Sequence, residues 1–202
     1  MSSFIIDCDP GHDDAVALLF AAKSLPLHGI TTVFGNSNVT NTTRNALALL
    51  NTAGLKIPVA RGARQPLKGR IRSAEHIHGK SGLDGANLQD GRIKPEKKEA
   101  YDFLIEAAND VQDLVIIGIG PLTNIAMAIE KEPKIMGRIK EISIMGGSTS
   151  FGNVSATAEF NIFADPEAAQ IVFNSGIPMR MAGLNVTSTF GISAQQVETL
   201  IK

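Results

Sequence analysis

Short apolar runs alternate along the chain with longer stretches in which apolar positions recur every three or four residues. The short runs are SFIID (3–7), HGITTVFG (28–35), IPVA (57–60), DLVIIGIG (113–120), EISIMGG (141–147) and IPMRMAGL (177–184). Several are almost wholly apolar, the pattern of strands buried on both faces. The longer stretches predict helices near 13–24, 38–53, 97–110, 121–131 and 165–175. The last of these opens with Asp165 as N-cap, Pro166 at the first helical position and Glu167 in the first turn. Such alternation predicts an α/β fold: an open, mostly parallel sheet with helices on both faces. Residues 61–94, rich in Gly, Arg and polar residues with weak periodicity, read as a long surface excursion. Near the end, Ser193 and Gln196 form a capping box. The pattern then runs to Lys202 without a C-cap signal, so either a short helix ends the protein or the chain continues in a longer natural form.

The bulk numbers fit this picture. At 202 residues, 44% apolar and 19% charged, the chain is expected to form one globular domain over 1–202. A formal charge of −1 gives no general attraction to nucleic acid or to acidic membranes. Arg61, Arg64, Lys68, Arg70 and Arg72 follow one another with no acid between them and read as a solvated loop. The single cysteine, Cys8, cannot form an internal disulfide, so a reducing, cytoplasmic setting is expected. The first aspartates come too early for a signal peptide, and no apolar run reaches the ~18–20 residues of a membrane span.

In a parallel α/β sheet, ligands bind beyond the carboxyl ends of the strands. Those ends here carry Asp7 and Asp9, Gly35-Asn36, Gly118-Ile119-Gly120, Met145-Gly146-Gly147 and Asn185. One polar strand end means little, but five at one rim point to a shared polar pocket. The first end is the densest: FIIDCDPGHDDA holds Asp7, Asp9, Asp13 and Asp14. Asp9-Pro10 alone reads as a helix opening, Asp9 as N-cap and Pro10 at N1. That would crowd Asp9, Asp13 and Asp14 into one turn. Two carboxylates ~4 Å apart repel by about 4 kcal/mol at an effective dielectric near 20. A helix N-terminus offsets about 0.3–1 kcal/mol for each. A bound cation or a raised pKa must cover the difference. The candidate ligands are all oxygens, which indicates a hard cation such as Ca²⁺ or Mg²⁺.

A second constellation is AEFNIFADPEAA. In an extended segment Glu159 and Asn161 point the same way, with Phe160 opposite. A carboxylate, an amide and an aromatic ring suit a sugar; the plainer reading is a polar edge before the Asp165-capped helix. Other patterns fail. AEHIHGKS lacks the first glycine of a phosphate loop, GIGPLT lacks the third dinucleotide glycine, and GGSTS lacks the closing glycine of a nucleophile elbow. His76 and His78 form an H-x-H pair without the further ligands of a zinc site.

DCDPGHDDA after an apolar strand, GN at the second strand end, GPLTN, IMGG and AEFNIFADPEAA occur in this order. Together they resemble the nucleoside hydrolases of the inosine–uridine type, over about 4–187. The resemblance implies a Rossmann-like core with Ca²⁺ at the carboxyl rim and hydrolysis of ribonucleosides to ribose and free base. By position it implies Asp9, Asp14 and the Ile119 carbonyl as Ca²⁺ ligands. It implies Asp9 also as the general base that activates the attacking water. It implies Asp13 and Asn36 on the ribose 2′- and 3′-hydroxyls, Asn153, Glu159 and Asn161 as further ribose contacts, and Met145 and Phe160 beside the sugar. It places His78 near the base pocket and Asp7 behind the metal site, and leans slightly towards pyrimidines. It also implies dimers or tetramers. Asn185 and Lys80 stand where the family usually carries acids. Family members continue beyond position 202, where they normally bring another Asp ligand and often a His near the leaving base. Two alternatives are carried: a truncated relative that binds nucleoside or ribose without turnover, and a Mg²⁺-dependent phosphohydrolase of the haloacid-dehalogenase type with Asp7 as nucleophile.

Overall fold

Ile5 and Ile6 are neighbours on the first strand, and both are buried. Successive strand residues face opposite sides of a sheet, so a pair buried in succession means a sheet covered on both faces. A computed structural model describes residues 2–88 and 93–201 and bears this out. Six strands form one sheet: β1 (Ser3–Cys8), β2 (Leu27–Thr32), β3 (Val59–Arg61), β4 (Leu114–Gly118), β5 (Glu141–Met145) and β6 (Met179–Ala182). Their order is β3-β2-β1-β4-β5-β6, and every neighbouring pair is parallel. The helices are α1 (His12–Ser24), α2 (Val39–Thr52), α3 (Glu75–His78), α4 (Ala100–Asp110), α5 (Thr123–Lys131), α6 (Pro133–Met136), α7 (Phe160–Ala164), α8 (Pro166–Phe173), α9 (Leu184–Thr187) and α10 (Ala194–Ile201).

The core divides as Ile5 and Ile6 do. Ile5 packs with Leu104, Ile116, Ile125, Ile142 and Val172, bringing α4, α5 and α8 onto one face. Ile6 packs with Leu18, Ile30, Leu49, Leu50 and Val59, bringing α1 and α2 onto the other. None of the described helices is long and apolar enough to cross a membrane. The capping box of α10 forms as read, with Ser193 N donating to Gln196 Oε1 and Gln196 N to Ser193 Oγ.

Asp165 does more than cap. Its Oδ1 accepts from Ala168 N at the start of α8, and its Oδ2 accepts from Thr123 Oγ1 at 2.6 Å and Leu67 N at 2.9 Å. One buried carboxylate therefore joins α8, α5 and the loop after β3. Asp165→Ala removes a cap worth about 0.5–2 kcal/mol and strands two donors at about 1–3 kcal/mol each. We expect a loss of about 3 kcal/mol and a fall in melting midpoint of about 6–12 °C, read by calorimetry.

The described part of 61–94 runs mostly exposed over the surface; residues 89–92 lie outside the described residues. It contains α3 and is anchored by its own Ala74 and Leu83, both buried. Arg64, Lys68, Arg70 and Arg72 are exposed, with the Arg72 guanidinium 4.3 Å over the Phe163 ring.

Candidate active site at the carboxyl rim

The strand order reverses between β1 and β4: the chain builds outwards through β2 and β3, then returns to build through β4, β5 and β6. The crevice beyond such a switch point is where ligands bind in this class of sheet. All the strand ends singled out by sequence lie at this rim, because all six strands are parallel.

Asp9 lies in the crevice. It does not cap α1; Gly11 does, because Asp9 Oδ2 instead accepts the Asn36 backbone N–H at 2.7 Å. The crowding expected in one helical turn is thus relieved by one member, leaving Asp13 and Asp14 in the first turn. The Asp9 carboxylate is wedged between the ends of β2 and β4. A Cβ on Gly120 would stand 2.6 Å from its Oδ1, and one on Gly35 would overlap its Oδ2. Asp14 reaches back to accept from Gly11 N at 3.1 Å and from Asn36 Nδ2 at 2.9 Å. The second Asn36 amide hydrogen goes to Asp9 O. Asn36 therefore ties both acids together through its backbone and side chain.

Behind this pair, Asp7 is fully buried. Its Oδ1 accepts from Thr31 Oγ1 at 2.5 Å and Asn124 Nδ2 at 2.7 Å. That burial fits the supporting role and puts Asp7 out of reach as a phosphorylated nucleophile. Asp7 Oδ2, Asp9 Oδ1 and Asp14 Oδ1 are buried with no hydrogen-bond partner among the described residues. Burial pushes the Asp7 carboxyl up to about 7, against the opposing pull of its Asn124 and Thr31 hydrogen bonds. Burial, then the charge of Asp13, brings Asp14 to about 7. Burial, then the charge of Asp14, raises Asp9 well above the usual carboxylate range.

Buried carboxylate oxygens without donors are costly. They are also the donor set a hard cation takes. Among the described residues no three His, Cys, Asp or Glu side chains form a ready-made metal cage. The residues present nonetheless fit an oxygen-seeking ion in part: Asp9 and Asp14 each offer one open oxygen, and the Ile119 carbonyl is near the same strand end. Ile119 N donates to Asp7 O, and its own carbonyl accepts from Asn161 Nδ2 at 3.1 Å, leaving a second lone pair.

Asn161 begins the other half of the rim. It also donates to Met145 O at 3.0 Å, joining the ends of β4 and β5. The extended reading of 159–161 does not hold. Glu159 is buried and caps α7: Oε1 accepts from Asn161 N, and Oε2 from Ile162 N and Gly147 N. Glu159 and Asn161 converge on the β5 end as cap and first-turn residue. Phe160 is half-buried with Val33, Phe34 and Ala63, and its N–H donates to the exposed Asn153 Oδ1 at 2.9 Å. Asn185 accepts from Thr149 N through its Oδ1.

On the remaining side, His78 covers Gly11. A Cβ there would meet His78 Nδ1 at 2.8 Å and Asn36 Nδ2 at 2.6 Å, so only glycine allows this approach. The His12 and His78 rings stack at 5.4 Å with their Nδ1 atoms 3.2 Å apart. Burial pushes the His78 imidazole down from its usual value, with Asp13 pulling the other way. Asp13 itself is exposed beside this group. The partners Thr31, Asn124 and His12 escaped the sequence reading. Asn124 ends the GPLTN motif and His12 lies inside the aspartate motif, but neither spacing shows which strand end each will touch. Two surface depressions are lined elsewhere, one by Ile192, Gln195, Gln196 and Thr199, the other by residues 108–113 with Arg138.

Comparison with known proteins agrees with this geometry. The family described as inosine-uridine preferring nucleoside hydrolase matches residues 4–202. The chain is 43% identical over 198 residues to the pyrimidine-specific ribonucleoside hydrolase RihA of Enterobacter sp. (strain 638), covering 96% of this chain and 63% of that protein. It is 43% identical over 188 residues to RihB, also a pyrimidine-specific ribonucleoside hydrolase, of Escherichia coli O9:H4 (strain HS), covering 91% and 60%. Among solved structures, the plant nucleoside hydrolase PpNRh1 superposes with a TM-score of 0.92 at 40% identity, over 98% of this chain and 64% of that one. A purine-preferring ribonucleoside hydrolase from Gardnerella vaginalis gives 0.91 at 35% identity, over 97% and 65%. The chain thus spans somewhat less than two thirds of the length of these relatives. By sequence along almost its whole length, and by the fold that carries its acids to one rim, the chain belongs to the inosine-uridine preferring nucleoside hydrolase family.

Proposed function

We propose that this chain carries the sugar-binding and water-activating half of a Ca²⁺-dependent ribonucleoside hydrolase, which cleaves the N-glycosidic bond to give ribose and free base. One observation carries the reading: Asp9 and Asp14 are buried side by side at the switch point, each with an oxygen that no group among the described residues satisfies. Asp9, Asp14 and the Ile119 carbonyl would hold the ion. When bound, the ion supplies positive charge that keeps both carboxylates ionised and polarises the oxygens it touches.

The hydrogen bonds already made define what remains for substrate. Both amide hydrogens of Asn36 are spent on Asp9 and Asp14, and those of Asn161 on Ile119 and Met145. Each amide therefore presents its oxygen alone. Glu159 adds carboxylate lone pairs beyond its three backbone donors. Asn153, whose oxygen is taken by Phe160 N, presents its N–H groups. The rim is thus rich in acceptors, which matches a polyol whose hydroxyls donate. Asp13 and Asn36 take the 2′- and 3′-hydroxyls, Glu159 and Asn161 the rest of the sugar, with Met145 and Phe160 against its apolar parts. Asp9 Oδ1 is the open oxygen that accepts a proton from the attacking water. The surrounding negative charge favours the oxocarbenium character that the sugar gains as the bond breaks. His78 faces the base.

Pyrimidine ribonucleosides are the preferred substrates in this reading, since RihA and RihB are named for them. A cytoplasmic setting and self-association to dimers or tetramers belong to the same proposal. To test it, uridine, cytidine and inosine are incubated with the protein, with calcium or with a chelator. The expected result is release of base and reducing sugar in equal amounts, fastest with the pyrimidines and lost on chelation. Ribose binding without base release would support the non-catalytic relative instead. Neither binding nor release, with calcium present, would overturn the sugar-site reading.

A further inference from the structure

The turn that carries Asp9 and the loop that carries His78 belong to distant parts of the chain, yet one side chain holds both. Asn45, on α2 and buried, donates one amide hydrogen to Pro10 O at 3.1 Å and the other to Ser81 O at 2.8 Å. Pro10 follows Asp9, and Ser81 lies three residues after His78. Asn41 precedes Asn45 by four residues on α2, so the two share a stripe, and Ser37, just before the helix, joins it by accepting from Asn41 Nδ2 at 2.9 Å. Ser37 Oγ donates to Lys80 O at 2.9 Å and Asn41 Nδ2 to the same oxygen at 3.0 Å. Gly82 lies flat on the stripe with φ +84°; a Cβ there would come within 3.2 Å of Asn45 Nδ2 and of Ser37 Cβ. Asp84 ties the loop to itself through Lys80 N, Ser81 N and Ser81 Oγ, and its backbone carbonyl meets His12 Nε2 at 3.0 Å. Lys80 takes part through its carbonyl.

We infer that Asn45 is a positioning residue that sets the distance between the sugar side and the base side of the site, by holding the Asp9 turn and the His78 loop on one amide. Asn36 already fixes Asp9 and Asp14 to each other without Asn45. Loss of Asn45 therefore frees the base side first. The inference rests on the hydrolase reading for its kinetic consequence, but the tie itself is measured without activity.

Asn45→Leu keeps the branching at Cγ, with somewhat more bulk, and removes both donors. Amide hydrogen exchange at Ser81, Gly82 and Leu83 is expected to speed up at least tenfold. KM for uridine is expected to rise at least tenfold with kcat changed less than threefold, and affinity for free ribose to change less than threefold. Asn45→Gln, which keeps two donors on a longer arm, is expected to recover part of the KM. Should the Leu variant not fold, Asn41→Ala removes one bond to Lys80 O and should speed the same amides about threefold. Unchanged exchange at these amides overturns the tie, and faster exchange with an unchanged KM overturns the positioning role. If the parent protein releases no base, the failure belongs to the hydrolase reading, and exchange alone decides whether Asn45 holds the loop.

Discussion

Asp9→Asn is expected to lower base release by about three orders of magnitude while leaving the fold intact, the range lost with a general base. The reason is positional. Asp9 is held between Gly35 and Gly120 with Oδ2 committed to Asn36 N, so an isosteric amide fits the same slot. Its carbonyl oxygen takes the Asn36 hydrogen bond, which leaves an NH₂ group where Oδ1 stood. That group donates instead of accepting, so it cannot take a proton from water and it repels a cation. Stability without calcium should rise, because a buried carboxylate with an unsatisfied oxygen has been removed. The two effects have opposite signs and are read separately, by single-turnover kinetics and by thermal unfolding in chelator. Activity within tenfold of the parent would show that Asp9 is not the base.

The fold was legible in the sequence, since each predicted strand and each long helix appears within a few residues. The signal is that strands buried on both faces must be almost wholly apolar, as VIIGI and FII are. The rim was legible for a topological reason: once the sheet is parallel, every strand end lies at one edge, and polar residues there become neighbours without further information. What failed was local. Asp9 reads as a cap because Asp-Pro commonly opens helices, but the Asn36 amide, 27 residues away, claims its carboxylate. Residues 159–161 read as extended because of their alternation, but Glu159 caps its own helix. Asn45, Asn124 and Thr31 went unread for the same reason: each acts through a hydrogen bond to a strand or loop more than twenty residues away. The resemblance reaches such residues only where they lie inside a motif.

Without calcium, the protein should be more stable near pH 5 than near pH 8, the reverse of what ordinary paired carboxylates produce. Asp7 titrates near 7 when folded because burial disfavours its charge, against a usual value of 3.8. Between those two pH values the folded chain holds the proton and the unfolded chain has lost it. Unfolding then releases a proton, so stability falls as pH rises and levels off above 7. At about 1.4 kcal/mol per pH unit the loss from Asp7 alone is about 4 kcal/mol over the whole window, of which about 3 kcal/mol falls between pH 5 and pH 8. Asp14, also near 7, and Asp9, raised further, act in the same direction, but they titrate as a linked pair and their losses do not simply add. A divalent cation binds the ionised acids and competes with those protons. At a hundred times its dissociation constant it returns about 2.7 kcal/mol where the acids are already ionised, and much less at pH 5, where protons must first leave. Urea unfolding at pH 5, 6, 7 and 8, in chelator and in millimolar calcium, should therefore give curves that lie together at pH 5 and diverge by pH 8. A calcium increment of the same size at both ends, or none at pH 8, would mean that the buried acids are not where the ion binds.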